Sequence, residues 1–200
     1  MSLLDPNPRK LILTFDDGRA FDGELTDILD EYEVTGIFLA CTDESIAPTF
    51  ASAPLYRAFT AENRRYLLQR HFIGSHTQSH SNLGRMSGRE QRTVLYETFE
   101  RFGETFGFQP WCFSYPWGRY NGATLRLLDG LGVRYAFLAA PGTQRRRHPL
   151  LLPRLFLDAP DCDELGFDEL LARFNRPLSN VKLAIRHLHA RLACPARRAE

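Results

Sequence analysis

The sequence predicts an α/β fold in which helices wrap a parallel sheet. Two observations carry that expectation: short β-rich runs alternate with longer amphipathic stretches, and a cluster of polar residues follows three of the runs. Residues 11–15 form the first strand, with Gly18 as the turn after it. Residues 22–33 carry Leu25, Ile28, Leu29 and Tyr32 at helical spacing, and residues 35–40 resume as strand, completing one βαβ unit. Residues 41–59 are rich in Ala, Ser, Thr and Pro with weak periodicity, the composition of a long loop over one end of the sheet.

The second half repeats the alternation. Residues 60–70 read as a helix and 71–75 as a short strand. Ser87-x-x-Glu90 is a capping-box signal for a helix running to about Gly107, with Val94, Leu95, Phe99, Phe102 and Phe106 as its buried face. Residues 111–115 are the next strand. Asn121 then caps a helix carrying Leu125, Leu128 and Leu131, and Gly132 ends it before a strand over 135–139. A further strand is expected over 151–157, with helices over 166–174 and 180–192. No fixed-period repeat or linker divides the chain, so one domain is expected over 1–200, residues 175–200 being a C-terminal helical extension.

Composition excludes several classes. Of 200 residues, 44% are hydrophobic and 24% charged, which excludes disorder, collagen and coiled coil. Lys and Arg number 25 against 24 Asp and Glu, so no global field steers the chain toward nucleic acid. No apolar run is long enough to span a bilayer, and the first residues lack a charged start followed by an apolar stretch. The expectation is a cytoplasmic protein, with at most peripheral contact to a membrane. Cys41, Cys112, Cys162 and Cys194 show no C-x-x-C spacing and read as reduced and structural.

The chemistry-bearing residues gather at expected strand ends. Asp16-Asp17-Gly18, His76-Thr77-Gln78-Ser79-His80 and Tyr115-Pro116-Trp117-Gly118 each follow a strand, and parallel-sheet proteins place their sites at that edge. Two neighbouring carboxylates repel unless a cation meets one of them. His76 and His80, four residues apart, would share one face of a helical turn and reach a common divalent ion. One aspartate oxygen and two imidazole nitrogens make three protein ligands and leave a fourth position for water, the pattern of a catalytic zinc site.

Thr14-Phe15-Asp16-Asp17-Gly18 and Gly74-Ser75-His76-Thr77-Gln78-Ser79-His80, in that order, resemble the first two motifs of the polysaccharide deacetylases, the NodB-homology carbohydrate esterases. Phe113-Ser114-Tyr115-Pro116-Trp117-Gly118 resembles the third motif of one subgroup, and Leu152-Pro153-Arg154 its later strand. The resemblance covers residues 10–160. It implies an α/β distorted (β/α) barrel of about seven units and a single divalent metal, zinc first, with cobalt, nickel or iron as alternatives. It also implies hydrolysis of N- or O-acetyl groups on sugars, and the leading expectation is deacetylation of an N-acetylated amino sugar in a polysaccharide, oligosaccharide or lipid-linked glycan. Carried across by position, Asp17, His76 and His80 hold the metal and Asp16 is the general base. A bound ion of this kind acidifies its water toward pKa about 7 and polarises the acetyl carbonyl. Asp16 then has one proton to receive, and a backbone N–H near Tyr115 would stabilise the oxyanion.

The chain departs from the better-known members in two places. Their third motif carries an arginine that orients the base, where this chain has Ser114; Arg154, or else Arg119, would have to reach the same carboxylate, and Arg154 is favoured because it lies on a later strand. Their Leu-x-His motif supplies the general acid, whereas His187 and His189 fall in an expected C-terminal helix. His148, in the loop before the last strand, is the acid candidate. Tyr115 and Trp117 are candidates for stacking on a sugar ring, Tyr115 the better placed. Arg145-Arg146-Arg147 reads as a solvated run or a site for an anionic glycan or lipid pyrophosphate. Two alternatives stand beside a deacetylase: a glycan-binding member without turnover, and a hydrolase of another non-peptide C–N bond.

Overall fold

The structure, a computed structural model, describes residues 12–17, 22–43, 68–139 and 148–154. The Gly18 turn, most of the 41–59 loop and 60–70 helix, the Arg145-Arg146-Arg147 run, the helices over 166–174 and 180–192 with His187 and His189, Cys162, Cys194 and the 175–200 extension lie outside these.

Five parallel strands stand side by side in sequence order: β1 (Leu13–Asp17), β2 (Gly36–Ala40), β3 (Phe72–Ser75), β4 (Cys112–Ser114) and β5 (Tyr135–Phe137). Helix α1 (Asp22–Glu31) follows β1, α2 (Gly88–Phe106) follows β3 and α3 (Gly122–Gly130) follows β4. A parallel bridge from Phe137 to Leu152 adds a sixth position beyond β5. An order that never reverses winds the sheet one way, giving the distorted (β/α) barrel rather than a doubly wound sheet. All carboxyl ends consequently meet at one edge.

Alternation along the strands explains the core. Phe38 and Ala40 of β2, Ile73 of β3 and Leu13 of β1 face α1 and α2, packing on Leu29, Phe102 and Phe106. Phe113, Tyr115 and Ala136 pack on Leu95, Phe99 and Leu128 of α2 and α3. The intervening residues Ile37, Leu39, Cys112, Tyr135 and Phe137 form a separate cluster with Leu152 on the sheet's other face. Both faces are therefore buried, which is why the strands read as apolar runs. Gly74 lets β3 and β4 close up: a Cβ there would lie 2.7 Å from both the Cys112 carbonyl oxygen and Leu39 Cδ2. Cys41 and Cys112 are buried; the Cys41 thiol donates to the His76 carbonyl at 3.3 Å, and burial pushes the Cys112 thiol well above its ordinary pKa.

Local signals set the helices. Ser87 Oγ accepts from the Glu90 amide while Glu90 Oε2 accepts from the Ser87 amide, the reciprocal cap expected of Ser-x-x-Glu. Asn121 Oδ1 accepts from the Ala123 and Thr124 amides. Gly107, at φ 81, closes α2 in the left-handed conformation. Of the expected buried face of α2, Leu95, Phe99, Phe102 and Phe106 are buried and Val94 partly so, joined by two polar residues, Gln91 and Thr98.

Strand ends moved. β1 begins at Leu13 and includes Asp16 and Asp17, because pairing with β2 runs from Leu13 opposite Gly36 to Asp17 opposite Ala40. Ladder partners, not apolarity, decided its end. Only Leu152 of the strand expected over 151–157 pairs among the described residues. No helix of the described residues is long and apolar enough to cross a membrane.

Candidate active site

Four segments deliver side chains to the carboxyl edge. At the end of β1, Asp17 has φ 77, the left-handed region that aspartate tolerates better than most residues. The twist overrides strand alternation, so that Asp16 Oδ2 and Asp17 Oδ1 both approach His76 Nε2, at 4.0 and 3.3 Å. His80 Nε2 lies 3.5 Å from the same Asp17 oxygen, and one donor atom from each of Asp17, His76 and His80 falls within 4.8 Å of the others.

The segment carrying the histidines is not the helical turn expected from their spacing. Residues 76–80 form an irregular loop after β3 in which Thr77 and His80 have φ 65 and 50. The His76 amide still donates to the Ala40 carbonyl at 2.9 Å, prolonging the β2–β3 ladder by one residue, before the chain turns. The two left-handed residues bring the rings to 4.8 Å between centroids. A helix would have reached convergence by periodicity; here it is bought with strained backbone.

His76 Nδ1 donates to the Ser114 carbonyl at 2.9 Å, which leaves the Nε2 lone pair aimed into the cluster. Burial alone pushes this imidazole down; the Asp16 charge, the bond and charge of Asp17 and the Ser114 carbonyl outweigh it and raise its pKa above 6.5. The negative surroundings that stabilise a proton at Nε2 would also stabilise a divalent cation there, where the Asp17 and His80 donors converge. The donor set of one buried carboxylate and two imidazoles, one tautomer fixed by a backbone carbonyl, fits a zinc-like ion.

Beside this cluster Asp16 is clamped. Arg154 Nη1 and Nη2 donate to its two oxygens at 2.7 and 2.6 Å, the bidentate fork that lysine cannot make. The other guanidinium donors reach Leu138 O at 2.9 Å, Thr14 Oγ1 at 3.1 Å and Ser114 Oγ at 2.9 Å, so all five N–H groups are engaged. Ser114 Oγ in turn donates to Asp16 Oδ2 at 2.9 Å. Burial raises the Asp16 pKa, but the His76 charge, the bonds and charge of Arg154 and the Ser114 hydroxyl prevail and hold it below 3.8.

Sequence reasoning missed Ser114 as a working residue. Its carbonyl orients His76 and its hydroxyl links Arg154 to Asp16, two roles at one position that no spacing signals. Arg119 follows the Pro116–Gly118 turn and is exposed, and Arg154 is the arginine that bonds Asp16.

Two expectations need correction. Tyr115 has no exposed surface: its hydroxyl donates to Leu150 O at 2.7 Å and its ring packs on Phe113 and Tyr120, so it cannot stack on a sugar. Its own amide donates to Phe137 O at 3.2 Å, so an oxyanion donor near Tyr115 would be a neighbouring backbone N–H. Trp117 is the aromatic at the rim, 62% exposed, at φ 59, its ring edge-on to His80 at 4.8 Å. His148 precedes Leu152 on a segment parallel to β5, so it lies at the amino edge, opposite Arg154. There it lines a cavity of about 600 Å³ with Arg126, Asp129 and Arg134, and its Nδ1 accepts from the Leu150 amide at 3.2 Å, away from the Asp16 cluster.

A distorted (β/α) barrel with a carboxylate–dihistidine cluster and a clamped second carboxylate at its carboxyl edge defines the class. The chain belongs to the polysaccharide deacetylase family, whose description matches residues 4–136. It is 31% identical over 74 residues to the putative polysaccharide deacetylase YxkH of Bacillus subtilis (strain 168), a match covering 37% of this chain and 26% of that protein, so the aligned part spans about a quarter of the relative. Among solved structures, the Streptococcus pyogenes deacetylase PplD in complex with acetate has TM-score 0.67 at 22% identity, over 86% of this chain and 73% of that one. The BpsB deacetylase domain from Bordetella bronchiseptica has TM-score 0.60 at 17% identity, over 74% and 70%. At these identities the structures carry the fold, and family membership supports deacetylase activity in general terms.

Proposed function

We propose that this chain is a metal-dependent hydrolase that removes acetyl groups from N-acetylated amino sugars of a polysaccharide, oligosaccharide or lipid-linked glycan. The observation that carries the reading is the juxtaposition at one edge of two carboxylates with different duties: Asp17 converges with His76 and His80, while Asp16 is gripped by Arg154.

Asp17, His76 and His80 would hold a divalent ion, zinc first, which supplies an acidified water and a Lewis acid for the acetyl carbonyl. Asp16, held ionised by Arg154 and Ser114, receives the proton, as a base whose lone pairs are oriented before substrate arrives. A base held this low is weak. It suits a water already acidified and would not serve on bulk water. Arg154 spreads its five donors over four partners, so accepting a proton at Asp16 leaves the guanidinium anchored. Trp117 offers an exposed ring beside His80, a platform for the apolar face of a sugar. Arg154 at Asp16 favours turnover over a binding-only member, since a mere scaffold has no use for an oriented base.

The test is acetate release from N-acetylglucosamine oligomers with elemental analysis of wild type, Asp16→Asn and His76→Ala. Wild type should hold one equivalent of metal and release acetate; Asp16→Asn should keep the metal without turnover; His76→Ala should lose both. Equal activity in all three proteins would overturn the reading.

A further inference from the structure

We infer that Thr98, halfway along α2, is a positioning residue for the loop that carries His76 and His80. The inference rests on the metal reading proposed above. Thr98 is a fully buried hydroxyl on the same helix stripe as Leu95, Phe99, Phe102 and Phe106, where valine would have the same shape and no polar atom to bury. Its Oγ1 accepts from the Gln78 amide at 3.1 Å. Gln78 is the midpoint of the loop, two residues from each histidine, and lies between the left-handed residues Thr77 and His80.

Those two conformations are unfavourable for non-glycine residues and persist only where the surroundings impose them. Three further bonds help to impose them. Thr77 Oγ1 accepts from the Ser81 amide at 2.9 Å, Gln78 O accepts from the Asp43 amide at 3.0 Å, and Ser79 Oγ donates to Asp43 Oδ2 at 3.2 Å. The first is internal to the loop and its exit, and the other two tie it to the residues after β2. Thr98 alone among these pins the loop to the helix layer, and it does so at the peptide midway between the two histidines. Its role is to hold His80 where His76 and Asp17 already point.

Zn²⁺ titration of the metal-free protein against a chromophoric chelator tests this on wild type, Thr98→Val, Thr98→Ser and Gln91→Met. Gln91 is the other buried polar residue of the stripe; it bonds to Thr124 and the Met86 carbonyl, away from the histidine loop, so it controls for lost stability. Thr98→Val should weaken Zn²⁺ affinity by about 10-fold to 100-fold, as changes behind metal ligands commonly do. Thr98→Ser should restore it, and Gln91→Met should lower the melting temperature with affinity unchanged. Reciprocity supplies a readout that needs no variant: in wild type, Zn²⁺ must slow hydrogen exchange at the Gln78 amide, because a bond that favours binding is favoured by it. Wild-type affinity in Thr98→Val, or Gln78 exchange indifferent to Zn²⁺, overturns the inference while leaving the metal reading intact. Wild type that binds no Zn²⁺ overturns both.

Discussion

Strand β3 is bracketed by two buried histidines, His71 just before it and His76 just after, 4% and 2% exposed. Each has a carboxylate within reach, yet their Nδ1 atoms play opposite hydrogen-bonding roles and their pKa values shift in opposite directions. At the amino edge the Gly36 amide donates to His71 Nδ1 at 3.2 Å, Nε2 is 3.8 Å from a single carboxylate, Asp30, and Arg70 takes that carboxylate at 3.3 Å. Burial pushes the His71 pKa down, and Asp30, offset by Arg70, does not restore it. At the carboxyl edge His76 donates through Nδ1 and faces two carboxylates, and its pKa rises. The ring whose Nδ1 accepts a backbone N–H bond is the structural one, whereas the ring whose Nδ1 donates to a backbone carbonyl turns an Nε2 lone pair toward a cation site. Ring nitrogen orientation, set by one backbone partner each, separates packing from chemistry.

Replacing each histidine breaks the comparison most sharply. His76→Ala should abolish both metal content and acetate release, while His71→Gln should leave both within about twofold and lower the melting temperature, since its cost is a buried bond to Gly36 worth about 1 kcal/mol. Next in size, Asp16→Asn should reduce kcat by about 10³-fold with metal content unchanged, the span expected for loss of a general base. Arg154→Met should reduce kcat by about 10²-fold through misplacement of Asp16, again with the metal retained, and should destabilise by about 2 kcal/mol, the buried-pair figure discounted for the partial exposure of Asp16. Unchanged turnover would remove Arg154 from the mechanism.

A pH series sharpens the contrast. His71 has a depressed pKa in the folded protein, so the unfolded chain binds more protons below 6.5. Its contribution to stability is complete above pH 6.5 and is lost as pH falls toward the folded value. The gap in melting temperature between wild type and His71→Gln should therefore narrow from pH 7.5 to pH 5; a constant gap contradicts the depressed pKa. Smallest of all, Trp117→Ala should raise KM about 2-fold to 10-fold with kcat nearly unchanged, in keeping with one exposed aromatic platform. A fall in kcat alone would mean that Trp117 serves His80 and not the sugar.

The limits of α2 and α3 were legible because their signals are local: Ser87, Glu90, Asn121, Gly107 and Gly132 act within a turn of their own position. The partner of Asp16 was legible only as a choice between Arg119 and Arg154, since nothing in the spacing says that residue 154 returns beside β1. Tyr115 and Trp117 were ranked in the wrong order. Two residues after the buried Tyr115, Trp117 itself takes the left-handed φ of 59 and stands exposed, a twist that composition does not announce. The loop of His76 and His80 was expected as a helical turn because i and i+4 converge there by periodicity. The chain reaches the same convergence through conformations that only tertiary contacts sustain.

By itself, then, the sequence determined which residue types are present, the β–α alternation and the helix caps, because propensity, periodicity and capping are properties of neighbours along the chain. The parallel order of strands, the clamp of Arg154 on Asp16 across 138 positions and the opposite fates of His71 and His76 were decided by folding. Charge, hydrogen-bond direction and burial depend on what lies across space, and that is fixed only when the strands have taken their places side by side.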